Sequence, residues 1–366
     1  MEQLPKVVLA IGYLTGGGAE RVVSVWANQL AERGFEVFIV VYARVANEYD
    51  VSSRVKILSI ANTVEAFVKL SYWQRIRQVR KLLKQIAPQY VISFLPVVQI
   101  LFFLASIGLN IKRIETIRVN PWVIRLPKIR YWIWRLCYKY AYRIILQTAE
   151  QADFFTLQER RKSVIIPNPI SEKIVNNYRS TVSEKITRFI AVGRIDPQKN
   201  YPMMIDGFAA VVATNPQLRL QIFGRGMPAY AEQIRQYIES KQMSNHITLM
   251  GRTPCIEEEY KQNDVFLMTS DYEGSPNALI EAMASRLLCI ATACPTGPKD
   301  LITSGENGWL VPVGDATALA ATIRHVLQMK QGEREAMVTA ARERVGDMCS
   351  EERTIDGLRA LLTNHS

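Results

Sequence analysis

Short apolar runs alternate with amphipathic stretches along the whole chain. The first cycle comprises an apolar run over residues 7–11, a glycine cluster, a helical pattern over 19–32 and a second apolar run over 37–41. Continuous apolar runs of this length indicate buried strands, whereas apolar positions three or four apart indicate a helix. The cycle therefore predicts a strand, a helix and a second strand parallel to the first.

The same alternation continues and then starts again. Up to residue 170 the pattern predicts helices over 74–86 and up to 107, and strands over 90–94, 113–117 and 143–146. Beyond residue 187 it predicts strands over 189–192, 218–223, 247–250 and 265–268, and helices over 201–213, 229–241 and 276–286. Two series of this kind predict an α/β protein with two parallel sheets.

The chain of 366 residues exceeds the usual size of one hydrophobic core, which also favours two domains. An apolar run ends in Pro167-Asn168-Pro169, and residues 171–187 lack periodic hydrophobicity. We predict an N-terminal domain over 1–170, a linker over 171–187 and a C-terminal domain over 188–347. The remaining residues, 348–366, are predicted to form a helix that packs back toward the N-terminal domain.

Residues 91–109 are almost entirely apolar and long enough to suggest a transmembrane helix. Pro96 favours another interpretation, because it lies where a buried parallel strand would end and a core helix would begin. The flanking stretches continue the alternation of strands and helices. We therefore predict a strand followed by a core helix.

The net positive charge of the chain is confined to the N-terminal half. Residues 1–180 carry 26 Lys and Arg against 12 Asp and Glu, while residues 181–366 carry 19 against 22. Residues 69–143 hold fifteen basic residues and a single acid, Glu115, interleaved with aromatics. This composition predicts docking on an anionic membrane surface. Two alternatives are a helix whose aromatics pack on the sheet and a nucleic-acid-binding surface.

Cysteine and histidine usage predicts an intracellular protein without a metal centre. The five cysteines are an odd number without paired spacing, and nothing like a signal peptide precedes Val7. The three histidines, His246, His325 and His365, are too scattered to build a zinc site with the cysteines. We expect the cytoplasm as the compartment, no metal and no cofactor.

The clearest chemical motif is the ten-residue sequence EGSPNALIEA, which begins at Glu273 after an apolar strand. Ser275 suits a helix N-cap and Pro276 suits a first helical residue, so the motif predicts a strand, a loop and a helix. Free N–H groups at such a helix start attract phosphate. Glu273 and Glu281, with seven residues between them, then present two carboxylates to one ligand.

Two further features predict the binding of a diphosphate. Arg194 and Lys199 lie between a strand and a helix, where fixed cations would stabilise a departing diphosphate without a metal. The cluster that contains Gly17 and Gly18 would let the backbone approach the same phosphate. The alternatives are that the two cations are solvated loop residues and that the glycines form a tight turn without a ligand.

Taken with the paired glutamates, other stretches over nearly the whole chain resemble the retaining GT-B glycosyltransferases of family 4. These are Gly16-Gly17-Gly18-Ala19-Glu20-Arg21, Ile166-Pro167-Asn168-Pro169, Gly193-Arg194-Ile195-Asp196-Pro197-Gln198-Lys199-Asn200 and Glu306-Asn307-Gly308. The resemblance implies a GT-B fold, in which two Rossmann-like, doubly wound domains face a central cleft.

The resemblance also implies roles for named residues. Glu281 would bind the ribose hydroxyls, and Glu273 would contact the sugar hydroxyls. The remaining donor-binding residues are Gly17, Gly18, Arg252, Gly274, Ser275, Pro276, Asn277, Ala278 and Leu279, with the diphosphate on the N–H groups of Ala278 and Leu279. Arg194, Lys199 and Glu273 form the expected catalytic group.

The acceptor side departs from the pattern of many relatives, which have a histidine in the N-terminal domain. Here Arg118 and Asn120 occupy the loop after a strand and are candidates for acceptor contacts, with a purely structural loop as the alternative. The implied reaction moves a sugar, with retention, from a nucleotide-sugar to a polyprenyl-pyrophosphate-linked glycan at the inner face of the cell membrane. UDP is favoured over GDP or ADP. The alternatives are a GT-B sugar-nucleotide epimerase and a nucleic-acid-binding protein.

Overall fold

The computed structural model of the chain describes residues 4–46 and 48–363, which form two compact units. Unit 1 consists of the described residues up to Pro169 together with those from Glu351 onward. Unit 2 is the continuous segment Ile170–Ser350. The chain therefore leaves unit 1 once and returns to it near its end.

Unit 1 contains a parallel sheet whose described strands have the order β3-β2-β1-β4-β5-β6-β7. The strands are β1 (Lys6–Ala10), β2 (Glu36–Val41), β3 (Lys56–Ser59), β4 (Tyr90–Ser93), β5 (Lys112–Thr116), β6 (Arg143–Leu146) and β7 (Ser163–Ile165). Strands β1, β2 and β4 are apolar and almost fully buried, as expected for a sheet covered on both faces.

Helices connect these strands. They are α1 (Gly18–Glu32), α2 (Val64–Lys69), α3 (Tyr72–Ile86), α4 (Pro96–Ser106), α5 (Lys128–Lys139) and α6 (Leu157–Arg160). A Ser71 capping box starts α3, with the Ser71 hydroxyl accepting from the Gln74 N–H and the Gln74 side chain accepting from the Ser71 N–H. Most residues of α4 are buried, so the apolar segment 91–109 is a strand followed by a core helix, which confirms that prediction.

Unit 2 contains a second parallel sheet, and its described strands have the order β10-β9-β8-β11-β12-β13. The strands are β8 (Arg188–Val192), β9 (Arg219–Phe223), β10 (Ile247–Gly251), β11 (Val265–Met268), β12 (Leu288–Thr292) and β13 (Trp309–Val311). The helices are α7 (Glu172–Asn176), α8 (Tyr201–Val212), α9 (Pro228–Ser240), α10 (Ile256–Gln262), α11 (Asn277–Ala284), α12 (Pro298–Leu301), α13 (Ala316–Gln328) and α14 (Gln331–Cys349). The strand order is that of a Rossmann-like doubly wound sheet.

The segment 171–187, expected to be a linker, is part of unit 2. It contains α7, whose Ile174 is buried in the same apolar cluster as Leu279, and Ile186 is buried in another cluster of the unit. A short helix with one anchoring residue has too few apolar positions to produce a recognisable period, which is why the pattern suggested a linker.

The last helix, α15 (Glu351–Thr363), belongs to unit 1. It packs on α1, and its buried residues Ile355, Leu358 and Leu362 share an apolar cluster with Trp26. Residues 364–366 lie outside the described part of the chain. The end of the chain thus supplies part of the core of unit 1.

Candidate functional site

The sheet topology of unit 2 changes direction at β8, and this point sets the position of the candidate site. Strand β8 pairs with β9 on one side and with β11 on the other, so the loops after β8 and β11 leave the same edge of the sheet side by side. Ligands of open parallel sheets bind at such a switch point, outside the carboxyl ends of the strands. The motif that begins at Gly193 lies in the loop after β8. The motif that begins at Glu273 starts in the loop after β11 and continues into α11.

Lys199 and Glu273 form an ion pair at this switch point. The Lys199 Nζ lies 2.6 Å from the Glu273 Oε1, although the residues are 74 positions apart in the chain. The Ser270 hydroxyl donates to the same oxygen at 2.6 Å. Both charged side chains are largely shielded from solvent, at 15% and 8% exposure. The structure therefore brings together a shielded cation and a shielded carboxylate that the sequence assigned to one site.

Further hydrogen bonds hold the two loops against each other. The Gln198 Nε2 donates to the Tyr272 carbonyl at 2.7 Å, and the Asn200 Nδ2 donates to the Asp271 carboxylate at 2.8 Å. The Thr269 hydroxyl lies within hydrogen-bond distance of the Lys199 carbonyl, at 2.9 Å. Because these contacts involve both loops, the ion pair is set in a preorganised frame.

Gly193 lies against the Lys199 side chain that reaches Glu273. A Cβ at position 193 would lie 2.9 Å from the Lys199 Cε, which is closer than carbon atoms approach in folded proteins. The glycine after β8 therefore leaves space for the stem of the lysine. Its role is to accommodate this side chain.

The EGSPNALIEA helix, α11, starts one residue later than the sequence suggested. Pro276 occupies the N-cap position and Asn277 is the first helical residue, so Ser275 is not the cap. The Ser275 carbonyl instead accepts from the Asn277 N–H at 3.0 Å, in a tight turn. The Leu279 N–H donates to the Pro276 carbonyl at 2.9 Å, so the predicted diphosphate contact now depends on the N–H of Ala278.

Glu281 lies inside α11 and has a different environment from Glu273. Its residue is 7% exposed, and its Oε2 accepts from the Tyr260 hydroxyl at 3.1 Å. Tyr260 is fully buried on α10. A phenol that donates to one carboxylate oxygen fixes the carboxylate orientation, which is a useful property in a group expected to accept two ribose hydroxyls.

The other predicted donor-binding residues of unit 2 occupy more open positions. Arg194 follows β8, but its side chain is 75% exposed and lies 3.4 Å from both Asp196 and Gln198. Arg252 is exposed at the end of β10, a strand that does not pair with β8. Gly274, Ser275, Asn277 and Ala278 are partly buried around the start of α11, while Pro276 and Leu279 are buried.

Gly17 and Gly18 lie in unit 1 at the start of α1, where Gly17 is the N-cap residue. The Glu20 carboxylate lies against Gly17, so that a Cβ there would collide with it. Burial raises the pKa of Glu20, and a hydrogen bond from its own N–H opposes that rise. The helix start that the sequence predicted to receive a phosphate is thus occupied by an acidic side chain of the same turn.

Arg118 and Asn120 follow β5, also in unit 1. The Asn120 Oδ1 accepts from the Trp122 N–H at 3.0 Å and caps a short 3₁₀ turn, so this oxygen has a structural partner. Arg118 donates to the Asn168 Oδ1 at 2.7 Å, and Gln147 donates to the same oxygen at 2.7 Å. Sequence reasoning missed Gln147 as a member of this group, and it included Asn168 only as part of the Ile166-Pro167-Asn168-Pro169 stretch.

The described residues contain no group of three or more His, Cys, Asp or Glu side chains arranged to hold a metal ion. Of the three histidines, His365 lies outside the described part of the chain. The expectation of a reaction without metal or cofactor stays a prediction. No helix in the described part of the chain has the length and apolar character needed to cross a bilayer.

Two family models together match almost the whole chain. Residues 16–173 match the model described as Glycosyltransferase Family 4, and residues 176–344 match the model described as Glycosyl transferases group 1. The division between the two matches falls close to the division between unit 1 and unit 2. The chain belongs to glycosyltransferase family 4. This assignment favours the transferase over the epimerase and the nucleic-acid-binding protein.

Similar proteins agree with the family 4 assignment. A Campylobacter jejuni enzyme is 28% identical over 93% of this chain and 94% of its own length, and is named GalNAc-α-(1→4)-GalNAc-α-(1→3)-diNAcBac-PP-undecaprenol α-1,4-N-acetyl-D-galactosaminyltransferase. The amylovoran biosynthesis glycosyltransferase AmsD of Erwinia amylovora is 23% identical over 89% of this chain and 90% of its own. The crystal structure of Anabaena HepE with UDP and glucose superposes with a TM-score of 0.80 at 15% identity, covering 98% of this chain and 100% of that chain. The likeness in structure confirms the GT-B fold.

The basic region 69–143 of the family 4 glycosyltransferase divides into exposed and buried side chains. Trp134 and Tyr138 are fully buried, Arg135 pairs with Glu159 at 2.8 Å, and the Arg118 guanidinium is shielded. The exposed members lie mainly on α3 and α5 and in the turn before α5. Twelve of them are Trp73, Arg77, Lys81, Lys84, Trp122, Arg125, Lys128, Ile129, Arg130, Trp132, Lys139 and Tyr140. We call these twelve residues the basic aromatic face.

Proposed function

We propose that this enzyme transfers a sugar, with retention of configuration, from a UDP-sugar to a lipid-linked saccharide in the synthesis of a cell-surface polysaccharide or glycan. The observation that supports the proposal most directly is the Lys199–Glu273 pair at the switch point of unit 2. A shielded ammonium at this place in a doubly wound sheet suits a diphosphate leaving group.

In the proposed reaction, the bond between the sugar C1 and the UDP phosphate oxygen breaks, and the acceptor hydroxyl oxygen bonds to C1. The proton of that hydroxyl passes to the departing phosphate on the same face of the sugar. The products are UDP and the extended acceptor. Lys199 and Arg194 stabilise the negative charge that develops on the diphosphate, and no divalent metal takes part.

Glu273 and Glu281 bind different parts of the donor in this proposal. Glu273 and the backbone of 274–277 contact the sugar hydroxyls, while Glu281, oriented by Tyr260, accepts from the ribose hydroxyls. The N–H of Ala278 contacts the diphosphate, and Arg252 lies on the side of the base. We keep Gly17 and Gly18 as donor contacts on the condition that Glu20 moves away from the start of α1.

The acceptor part of the proposal is supported by relatives and by the surface of unit 1. The name of the Campylobacter jejuni enzyme specifies an undecaprenol-PP-linked saccharide, and that of the Erwinia amylovora protein specifies amylovoran biosynthesis. The basic aromatic face combines cations with exposed tryptophans, a composition that suits the headgroup layer of an anionic membrane. We propose that the enzyme associates peripherally with the cytoplasmic face of the cell membrane through this surface.

The central test uses Lys199→Met, Glu273→Gln and the double variant, assayed in EDTA for transfer from a UDP-sugar. Each single change leaves one charge of a shielded pair without its partner, so we expect both to lower stability. The double variant removes both charges and is expected to regain stability. If the pair acts on the donor, its turnover nevertheless stays more than tenfold below wild type, equivalent to a loss of about 1.4 kcal/mol or more of transition-state stabilisation.

The matched control is Lys241→Met, which removes another lysine of unit 2 from its carboxylate partner, Asp206, at 2.7 Å. This pair is more exposed and connects the residue after α9 with α8, so turnover should stay within about twofold of wild type. A double variant that recovers both stability and wild-type turnover would refute a catalytic role for the pair. Complete loss of wild-type activity in EDTA would refute the metal-free reaction.

A further inference from the structure

Arg118 has a shielded guanidinium whose hydrogen bonds are incomplete. Its Nη1 donates to Asn168, whereas its Nε and Nη2 are buried and have no partner among the described residues. Burial lowers the pKa of Arg118 to about 9, and no charged group contributes to that shift. The group is therefore still a cation at neutral pH, and no carboxylate among the described residues forms an ion pair with it.

Arg135 in the same unit provides an internal comparison. Its guanidinium lies 4.7 Å from the ring centre of Phe154, much as that of Arg118 lies 4.5 Å from the ring centre of Trp26. Arg135, however, has a carboxylate partner, Glu159, at 2.8 Å. Both arginines stack on aromatic rings, and only one is neutralised. Stacking alone therefore does not account for the surroundings of Arg118.

The missing partner of Arg118 must be an acceptor. A guanidinium can only donate hydrogen bonds, and the Trp26 and Phe94 rings that Arg118 contacts offer its Nε and Nη2 no acceptor oxygen or nitrogen. The indole Nε1 of Trp26 is also buried and has no acceptor among the described residues. Two side chains in contact thus share three donor atoms that lack an acceptor, and such an arrangement suits an oxyanion.

The location of this group also suits a ligand. Arg118 follows β5, Gln147 follows β6 and Asn168 follows β7, so all three lie beyond the carboxyl ends of neighbouring parallel strands. The Asn168 Oδ1 accepts from both other side chains and holds them together. This is the edge of a doubly wound sheet at which ligands bind.

We propose that Arg118, supported by Asn168 and Gln147 and stacked on Trp26, binds an oxyanion carried by the acceptor. The inference rests on the proposed function, because it names the acceptor as the source of the anion. A bidentate guanidinium suits a phosphoryl group and a carboxylate equally, so the anion is either a phosphate of the lipid pyrophosphate or the carboxylate of an acidic sugar.

The test titrates the full-length protein with inorganic pyrophosphate and, separately, with glucuronate. The Lys199→Met/Glu273→Gln background keeps the switch point of unit 2 from competing for pyrophosphate. We expect Arg118→Met to weaken binding of the preferred probe at least tenfold. Arg118→Lys keeps the charge but not the bidentate geometry, and should weaken it by an intermediate factor. Preference for pyrophosphate identifies a phosphoryl group, and preference for glucuronate identifies a carboxylate.

Tryptophan fluorescence gives a second readout. Binding at Arg118 should change the emission of Trp26, and Trp26→Phe should remove that change. Arg135→Leu serves as the control for loss of an arginine that contacts an aromatic ring. The folded fraction of this variant should bind both probes with unaltered affinity. If neither probe binds the background protein, or if Arg118→Met and Arg118→Lys bind as the background does, the proposal is overturned.

Failure of this inference can be separated from failure of the proposed function. Titration of UDP into wild type and Glu281→Ala reports on unit 2, which contains neither Arg118 nor Trp26. Loss of the oxyanion in Arg118→Met with unaltered UDP binding in Glu281→Ala would uphold the anion site and reject the donor site. The opposite pair of results would reject the anion site and uphold the donor site.

Discussion

Glu281 and Glu273 belong to one motif, yet their chemical surroundings differ. Glu273 is paired with Lys199, so replacing it leaves a shielded cation without a partner. Glu281 accepts instead from the neutral phenol of Tyr260. Substitution of Glu281 therefore removes two acceptor oxygens and is expected to act mainly through ligand binding.

We expect Glu281→Ala to weaken UDP binding at least tenfold, because the ribose hydroxyls lose charged acceptors worth about 1.5–3 kcal/mol. Tyr260→Phe, which keeps the carboxylate but not the phenol that orients it, should weaken binding by a smaller factor. Calorimetric titration of UDP, GDP and ADP measures both effects and the base preference. The control is Glu232→Ala on α9, an exposed carboxylate of the same unit. Equal affinity of Glu281→Ala and wild type for UDP would reject the ribose contact.

Glu115 is another residue with unusual surroundings, and it has no proposed role in donor binding. It is fully buried in β5, and neither carboxylate oxygen has a hydrogen-bond partner among the described residues. Burial raises the pKa of Glu115 to about 8, and the charge of Arg113 opposes that rise. Cys137 and Tyr138 are the other titratable groups that interact with it. At neutral pH the folded protein therefore holds this carboxyl mainly in its protonated form.

A raised pKa of a carboxyl stabilises the folded state below the ordinary pKa of 4.5, and this stabilisation is lost as the pH rises toward 8. Glu115→Gln cannot ionise. We therefore expect the free energy of unfolding of the variant, relative to wild type, to rise by at least about 1 kcal/mol between pH 5.5 and pH 8. Urea unfolding at several pH values measures the difference in unfolding free energy between variant and wild type. The other carboxylates contribute equally to both proteins, so their effect cancels. A difference that does not depend on pH would show that Glu115 ionises as an ordinary glutamate.

The residues of the site were predictable to the extent that they belong to a contiguous motif. Glu273 and Lys199 could be assigned from the strand, loop and helix patterns around them, because parallel strands place their carboxyl ends at one edge. Tyr260 and Ser270 carry no such signal, since each contacts a carboxylate only through the tertiary fold. Glu20 belongs to the glycine-rich stretch that begins at Gly16, but its position over Gly17 depends on a side-chain conformation that no sequence pattern predicts.

At the scale of elements, periodicity identified most of the strands but missed the buried β12 and the edge strands β3 and β13. Strands β1, β2, β8 and β11 were all predicted, because β11 is wholly apolar and the other three are apolar after a charged first residue. Strand β3 is an edge strand with no buried residue, so its sequence does not resemble a core strand. The aromatic residues of α5 supported two interpretations, and both describe part of the helix, since Trp134 is in the core and Trp132 is on the surface.

Helix α15 shows how an element distant in sequence stabilises unit 1. Leu358 is fully buried and packs in the cluster that contains Trp26 and Leu30 of α1. We expect Leu358→Ala to lower the free energy of unfolding of unit 1 by about 2–4 kcal/mol, because the change opens a cavity in the core. Urea unfolding followed by the fluorescence of unit 1 tryptophans provides the measurement.

Leu157→Ala is the matched control for this prediction, because Leu157 is 76% exposed at the start of α6 in the same unit. Its unfolding free energy should stay within about 0.5 kcal/mol of wild type. If Leu358→Ala were as stable as Leu157→Ala, α15 would not be part of the core of unit 1.

For the whole molecule, the asymmetry of charge and exposed aromatics suggests where a membrane would bind. Trp73 on α3 and Trp132 on α5 are more than two-thirds exposed, at 74% and 71%, and both lie among cations of the basic aromatic face. Tryptophan side chains with this exposure leave most of their apolar area in contact with water. In a headgroup layer they would bury most of their area while the cations contact anionic lipids.

We expect Trp73→Ser and Trp132→Ser each to lower the partition coefficient onto phosphatidylglycerol-containing vesicles at least fivefold, corresponding to about 1 kcal/mol of lost apolar burial. Vesicle sedimentation measures the effect, and raising the ionic strength should weaken binding of the wild type as well. Met227→Ser provides the control, since Met227 is 69% exposed in unit 2. Equal binding of all variants, regardless of the anionic lipid content, would contradict the proposed membrane surface.

The backbone passes out of unit 1 after Pro169 and re-enters it at Glu351, and within unit 2 the Ile170 N–H donates to the Cys349 carbonyl at 2.8 Å. Unit 2 thus has the topology of an insertion whose two ends are neighbours. Segments with adjacent ends can be exchanged between homologous chains or relocated by circular permutation without new spacers. This arrangement makes unit 2 a replaceable module. If unit 2 binds the donor as proposed, its exchange offers a direct route to hybrid enzymes that combine one acceptor specificity with another sugar nucleotide.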